Sequence, residues 1–287
     1  MRTAEPFCIS FSGVTLRFVP KENVELPEEF RALLITDTET VDADYEICPL
    51  DSPIVPAGQP EHSNGGTEIY RTPEGVLWIY SLRRGLSGEQ VARLLGPEGK
   101  HRLYFPRFLW DHYTSPVHCG HLIAIEKILL QRDSFLLHSA VVEKNGKSVL
   151  FSGPSGIGKS TQADLWAKHL GADILNGDRT IVMRCRDGFY GGGSPYAGHS
   201  RIYRREQFPI AGLFLLEQAD ENRVARLGAD AFAPLMSQIL INSWDLDFMD
   251  QLTGLLAQLL TQVPVYRLSC RPDRQAVELA YKTLFNL

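Results

Sequence analysis

The stretch HSAVVEKNGKSVLFSGPSGIGKST (138–161) decides the fold of this 287-residue chain. Its last nine residues satisfy G-x-x-x-x-G-K-[ST]. The apolar run 148–151 (SVLF) precedes them, and a helix expected over 159–170 (KSTQADLWAKHL) follows, closed by Gly171 as its C-cap. Strand, glycine loop and helix N-terminus in that order form an anion cradle, because backbone N–H groups converge on a phosphate and the helix dipole favours its charge. Gly153, Ser155, Gly156, Ile157, Gly158, Lys159, Ser160 and Thr161 are the expected nucleotide contacts. Lys159 would reach the outer phosphates, and the Ser160 hydroxyl suits Mg²⁺.

Upstream, Asn145-Gly146 between two extended runs predicts a two-residue type I′ hairpin. Pairing Lys144 with Lys147 sets Glu143 against Ser148 and Ala140 against Phe151, and places His138 opposite Gly153, beside the phosphates. The loop strand is then half of an antiparallel pair, unlike the parallel crossover sheets of switch GTPases and most motor ATPases. After the helix, ADILNGDRTIVMRC (172–185) reads as a second hairpin, turning at Asn176-Gly177 or Gly177-Asp178. The guanine-reading NKxD and the kinase motifs HRD and DFG are absent. LSGEQ lies upstream of the loop, where Ser87 and Gln90 have capping-box spacing ahead of a short amphipathic helix over 85–95.

His138, the hairpin turn, the phosphate loop, its helix and GADILNGDRTIV together resemble the catalytic domain of bacterial HPr kinase/phosphorylase, well over 134–217 and loosely beyond. The resemblance implies an α/β (α+β) mixed sheet with a phosphoenolpyruvate-carboxykinase-like nucleotide core. It also implies a kinase that phosphorylates a serine hydroxyl with ATP and Mg²⁺. By position, His138 would lie near the γ-phosphate, Lys159 would bind it, and Ser160 with Asp178 would hold the metal. The family usually carries paired aspartates after the helix, one proposed as base; here Asp178 matches the second and Gly177 stands in place of the first. Either Asp178 combines both roles or another carboxylate, such as Glu217 at the end of IAGLFLLEQ (210–218), supplies the base. The family's Arg- and Pro-containing partner loop is not found, so the expected acceptor is a serine of a small peptide or dedicated carrier protein rather than HPr. Shorter relatives act as modifying kinases in peptide natural-product pathways, including lasso peptides. The resemblance is compatible with a homo-oligomer.

The remaining sequence supplies a frame. With 44% hydrophobic and 22% charged residues and a net charge of −5, the chain is that of an ordinary globular protein without the basic footprint of a nucleic-acid binder. Five singly spaced cysteines, no signal-like start and no long apolar run point to the cytoplasm and away from a membrane. Residues 1–117 are expected to form an antiparallel β domain, with strands in 7–19, a short one at 45–48 and a hairpin in 67–83. Residues 118–287 are expected to form the catalytic domain, the boundary falling within 117–134. A helix is expected over 119–132. His112, His118, Cys119 and His121 lack a partner cluster, so no metal is assigned to them. In 186–206 the run Gly191–Gly193 suggests a pliable loop ahead of Arg201, Arg204 and Arg205, with Arg201 the candidate to neutralise transition-state charge. Helices are expected over 229–242, 245–262 and 273–285, with Asp245, Asp247 and Asp250 as capping residues.

Overall fold

Side chains alternate along Phe7–Phe11 and Val14–Pro20, so Ile9, Phe11, Val14, Leu16 and Phe18 share one buried face, and the two strands pair across a turn at Ser12-Gly13. The computed structural model describes residues 2–36, 38, 40–81, 90–110 and 123–285. It divides into two units, Met1–Ile125 and Glu126–Leu287. In the first unit a nine-stranded sheet carries the expected hairpin, Thr67–Thr72 against Gly75–Ser81 with Thr72 opposite Gly75. The sheet is mixed rather than wholly antiparallel. The strand at 45–48 extends over Ala43–Leu50 and runs parallel to both Val14–Pro20 and Lys100–Pro106, because the connections leading to it and from it cross over instead of turning back.

The expected helix over 85–95 is overturned where it is described: Gln90–Leu95 is a strand between Gly75–Ser81 and Lys100–Pro106. Arg93 is opposite Trp78, and its guanidinium lies 3.8 Å over that ring, so a residue that looked like the polar face of a helix is buried by a cross-strand cation–π contact. Gln90 hydrogen-bonds the backbone of Ile54. Ser87 and the histidine-rich segment with His112, His118, Cys119 and His121 lie outside the described residues. Of the helix expected over 119–132, Ile125–Leu130 is present.

His101 packs its ring against Tyr45, at 5.1 Å between centroids. Burial pushes its pKa down from 6.5 to about 4, against a hydrogen bond with the Lys100 backbone and with a smaller contribution from the charge of Arg93. The folded chain keeps this imidazole neutral while the unfolded chain protonates it. Its contribution is therefore complete above pH 6.5 and is lost as pH falls towards about 4, on the order of 3 kcal/mol. Urea unfolding of the first unit across that window should show the loss. His101→Phe should flatten it; an unchanged pH dependence would refute this role.

The second unit begins with β1 (Ser134–Lys144), β2 (Lys147–Ser152) and α1 (Lys159–Leu170), followed by β3 (Asp173–Asn176), β4 (Arg179–Cys185) and β5 (Gly188–Gly192). Then come β6 (Gln207–Gln218), β7 (Arg223–Leu227), α2 (Leu246–Gln262), β8 (Val265–Cys270) and α3 (Arg274–Phe285). The sheet is mixed: β1 pairs antiparallel with β2 and β4, whereas β6 runs parallel to both β2 and β8. Because β2 also reaches β6, the pairings β2-β1-β4-β5-β6 close into a ring. One face is covered by α1 and α3, with Trp166 fully buried edge-on to Phe151 at 5.5 Å; on the other, Phe248, Leu252, Leu255 and Leu259 of α2 enter the second core. Asp245 caps α2, accepting from Phe248 N, and pairs with Lys127 at 2.7 Å, a structural rather than catalytic use. The helix expected over 229–242 is shortened to a 3-10 turn at Ala229–Ala231 and an α-helix at Phe232–Met236, since the chain then leaves to bond the free edge of β1.

The Asn145-Gly146 turn has both residues at positive φ, and the register is Lys144 to Lys147, Glu143 to Ser148 and Ala140 to Phe151, as the turn chemistry predicts. The second expected hairpin does not exist. β3 and β4 do not pair with each other; both lie antiparallel along the same edge of β1, so they are one strand interrupted at Gly177-Asp178. The glycine run is likewise no pliable loop. Gly191 and Gly192 lie in β5, where a Cβ on Gly191 would meet Ser148 Oγ at 2.8 Å; one on Gly193 would meet Arg204 O at 2.1 Å. These glycines permit close packing.

Candidate active site

The interruption in β3–β4 builds the site. Asn176 is fully buried, and its Oδ1 accepts from both Asp178 N and Arg179 N at 2.9 Å, while its Nδ2 donates to Ser194 O at 3.1 Å. This side-chain turn lifts Gly177-Asp178 out of the ladder and aims Asp178 across β1. Ser194 Oγ in turn donates to Arg179 O at 2.7 Å, anchoring the far side. Sequence reasoning saw Asn176 only as a turn residue. Its position just before Gly-Asp was the available signal for an Asx turn, and nothing local pointed to Ser194.

His138 is held from both edges of β1, one residue beyond the last rung shared with β2. Its N–H donates to Gln238 O at 2.8 Å, and its carbonyl accepts from Ser152 Oγ at 2.9 Å. Across the other edge it pairs with Arg179, which brings His138 Nε2 to 3.3 Å from Asp178 Oδ1. Arg179 Nε lies 3.8 Å from Asp178 Oδ2. Burial pushes the Asp178 pKa up, but His138, Arg179 and Lys159 together outweigh it, and the carboxyl titrates below its ordinary 3.8. Asp178 is therefore an anion throughout the neutral range.

Gly153, Gly156 and Gly158 all take positive φ in the loop, and Lys159, the first residue of α1, is buried and donates to Gly153 O and Pro154 O at 3.0 Å. Ser160 and Thr161 follow, exposed at the helix N-terminus. Burial lowers the Lys159 pKa from 10.5, opposed by Asp178 and reinforced by Arg179. The ammonium is the form that attracts phosphate. Affinity for a triphosphate should thus be full at neutral pH and fall as pH rises through a value below 10.5, with proton uptake on binding in that range. Calorimetry in buffers of different ionisation heat should detect this uptake, and Lys159→Arg should abolish it. Equal uptake by the variant would assign the proton elsewhere.

The loop after β5 closes over Asp178. Gly198 has φ +54°, and a Cβ there would lie 3.0 to 3.4 Å from the Asp178 side chain; a Cβ on Gly177 would stand 2.7 Å from Ser200 Cβ and Oγ. Ser200 thus fills the space a side chain at 177 would need. Arg201 comes next, exposed, with φ +50°. Glu217 lies two residues past Leu215, which is opposite Ser152, so it stands at the loop end of the sheet; its Oε2 accepts from Ser269 Oγ at 2.6 Å. Asp178, not Glu217, is the carboxylate joined to His138. Among the described residues no three His, Cys, Asp or Glu side chains cluster as a metal site, and no helix is long and apolar enough to cross a membrane.

A family model described as "SynChlorMet cassette protein ScmC" matches residues 118–272, just over half the chain. No curated protein matches. Among 52 matching solved chains is the HPr(Ser) kinase/phosphatase from Coxiella burnetii, at 14% identity and a TM-score of 0.31, covering 53% of this chain and 88% of that one. A likeness of that size bears on neither activity nor substrate.

Proposed function

The chain belongs to the ScmC family of SynChlorMet cassette proteins, and we propose that it is an ATP-dependent kinase transferring the γ-phosphoryl group to a serine hydroxyl of a small peptide or carrier protein. The observation that carries this reading is the convergence of Asp178 and His138 on the strand pair that bears the phosphate loop and Lys159. A loop that only held a nucleotide would not need an ionised carboxylate fixed by Asn176 and oriented by histidine at its side.

In the proposed reaction the acceptor oxygen attacks the γ-phosphorus in line, the bond to the β-bridging oxygen breaks, and ADP leaves. Lys159 offsets charge on the transferred group, which is the larger part of such catalysis. Asp178 accepts the hydroxyl's hydrogen bond and takes its proton late. A carboxylate held below 3.8 is a weak base, which suits a loose transition state where little proton transfer precedes bond cleavage. The Ser160 hydroxyl and the Asp178 carboxylate are hard oxygen donors that fit Mg²⁺, which when bound would neutralise phosphate charge.

The test is incubation with Mg-ATP and candidate acceptors, beginning with peptides and carriers encoded in the same cassette, followed by mass mapping. Phosphoserine on one acceptor supports the kinase. ADP release unaffected by every acceptor would replace it with a nucleotide sensor of weak ATPase activity.

A further inference from the structure

The loop 193–206 is a lobe seated on the strand interruption that carries Asp178. Its base is pinned: Gly193 N donates to Glu206 O at 3.4 Å, Ser194 O accepts from Asn176 Nδ2, and Ser194 Oγ donates to Arg179 O. Its tip is a 3-10 turn at Gly198–Ser200, where Gly198 and the following Arg201 take positive φ. A Cβ on Gly198 would come 3.0 Å from Asp178 Cβ and 3.4 Å from its Oδ2, and a Cβ on Gly177 would meet Ser200 Oγ at 2.7 Å. One bond length back from that point, Ser200 Oγ lies within about 4 Å of Gly177 Cα. The two glycines let lobe and interruption interlock, and the interlock brings a serine hydroxyl to the residue next to the carboxylate.

Ser200 differs from the other hydroxyls near Asp178 and His138. Ser139, Ser152, Thr180 and Ser194 are fully buried, and they donate to Leu137 O, His138 O, Ser139 O and Arg179 O. Those hydroxyls hold strands and turns together. Ser200 is half-buried beside the exposed Gly198 and His199, and it donates within its own turn, to Ala197 O at 2.7 Å. Rotation about χ1 to another staggered well frees this hydroxyl without parting a strand.

We propose that Ser200 is phosphorylated by its own chain, with Mg-ATP as donor and Asp178 as the group that orients the hydroxyl. This rests on the kinase reading above and adds an acceptor within the molecule. The bond from Ser200 Oγ to the γ-phosphorus forms as the bond from that phosphorus to the β-bridging oxygen breaks. The hydroxyl proton passes to Asp178 and then to water, and ADP leaves. Lys159 offsets charge on the transferred group, as it does for any acceptor. A serine tethered beside the carboxylate has an effective concentration on the order of mM, so it needs no docking surface of its own.

The experiment incubates the purified full chain with Mg-ATP and digests it with trypsin. The peptide 187–201, which carries both Ser194 and Ser200, is then fragmented to locate phosphate. Ser200 is expected to gain one phosphoryl group, and Ser194, fully buried in the same peptide, none. The initial rate per chain should stay constant over an about tenfold dilution, because donor site and acceptor share one chain. A rate that falls with dilution would assign the phosphate to transfer between copies and overturn the proposal. Lys159→Ala should lower labelling by about a thousandfold or more; equal labelling in that variant would come from a contaminating kinase and would also overturn it. Ser200→Ala should lose the label while still binding Mg-ATP in calorimetry. Should that variant fail to fold, site mapping and the dilution series on the natural chain decide. Phosphoserine on a cassette peptide or carrier, with none on Ser200, would sink this proposal and keep the kinase. Phosphate on neither would overturn the kinase reading, and this proposal with it.

Discussion

Lys159→Ala is expected to reduce phosphoryl transfer by about a thousandfold or more while leaving the chain folded. The two halves of that expectation come from different parts of the structure. Lys159 donates only to carbonyls of its own loop, Gly153 O and Pro154 O, so its removal leaves two acceptors that loop rearrangement or water can satisfy. None of the core contacts around Trp166 and Phe151 is touched. By contrast, the ammonium is the cation set at the entrance of α1, close enough to Asp178 and Arg179 for each to move its pKa. Without it, charge developing on the transferred group faces Asp178 with less compensation. Thermal unfolding near that of the natural chain, together with lost transfer, would locate the defect in chemistry. Transfer within tenfold of the natural chain would remove the loop from the reaction.

The same variant separates a kinase from a sensor. If the chain merely bound nucleotide, Lys159→Ala would lower affinity and any slow hydrolysis together, and saturating ATP would restore the remaining signal. In phosphoryl transfer the lysine acts most strongly on the transition state, so saturating ATP should not restore kcat.

The parts of this site that were legible in the sequence are those written by neighbours in the chain. Asn145-Gly146 determined a hairpin and its register, and the register carried His138 to the loop without any knowledge of tertiary structure. The loop and α1 were equally local, down to Gly171 as a left-handed C-cap with φ +63°. The failures have a common cause. Asn176-Gly177-Asp178 is as good a hairpin turn as it is a bulge, and only the long edge of β1, pairing with both β3 and β4, selects the bulge. Gly191–Gly193 read as pliable because a glycine needed for flexibility and one needed for close approach are the same letter; Ser148 and Arg204 decide between them. QVARLL had helical spacing, but Trp78 across the sheet gave Arg93 a buried partner.

The other large effect is expected from a residue that touches no phosphate. Asn176→Ala leaves Asp178 N and Arg179 N without their acceptor and Ser194 O without its donor, in a pocket where Asn176 itself is fully buried. Unpaired buried groups of this kind cost about 1–3 kcal/mol each; the bulge is partly solvated, so a loss of about 2–4 kcal/mol overall is expected in urea unfolding. The functional loss should be larger than the stability loss suggests. Asp178 is held by its neighbours' backbone, and a displacement of about 1 Å can cost roughly a hundredfold in rate. Because β2 and α1 build the phosphate loop and Asp178 would reach the nucleotide only through Mg²⁺, the loss should fall more heavily on kcat than on KM for Mg-ATP. Asn176→Asp retains an acceptor for the two N–H groups but loses the donor to Ser194 O and Oγ and sets a buried carboxylate oxygen against that carbonyl, so it should recover only a small part of kcat. A variant destabilised as expected but with natural kcat would show that Asn176 is a structural residue only, and that Asp178 finds its place against His138 without it.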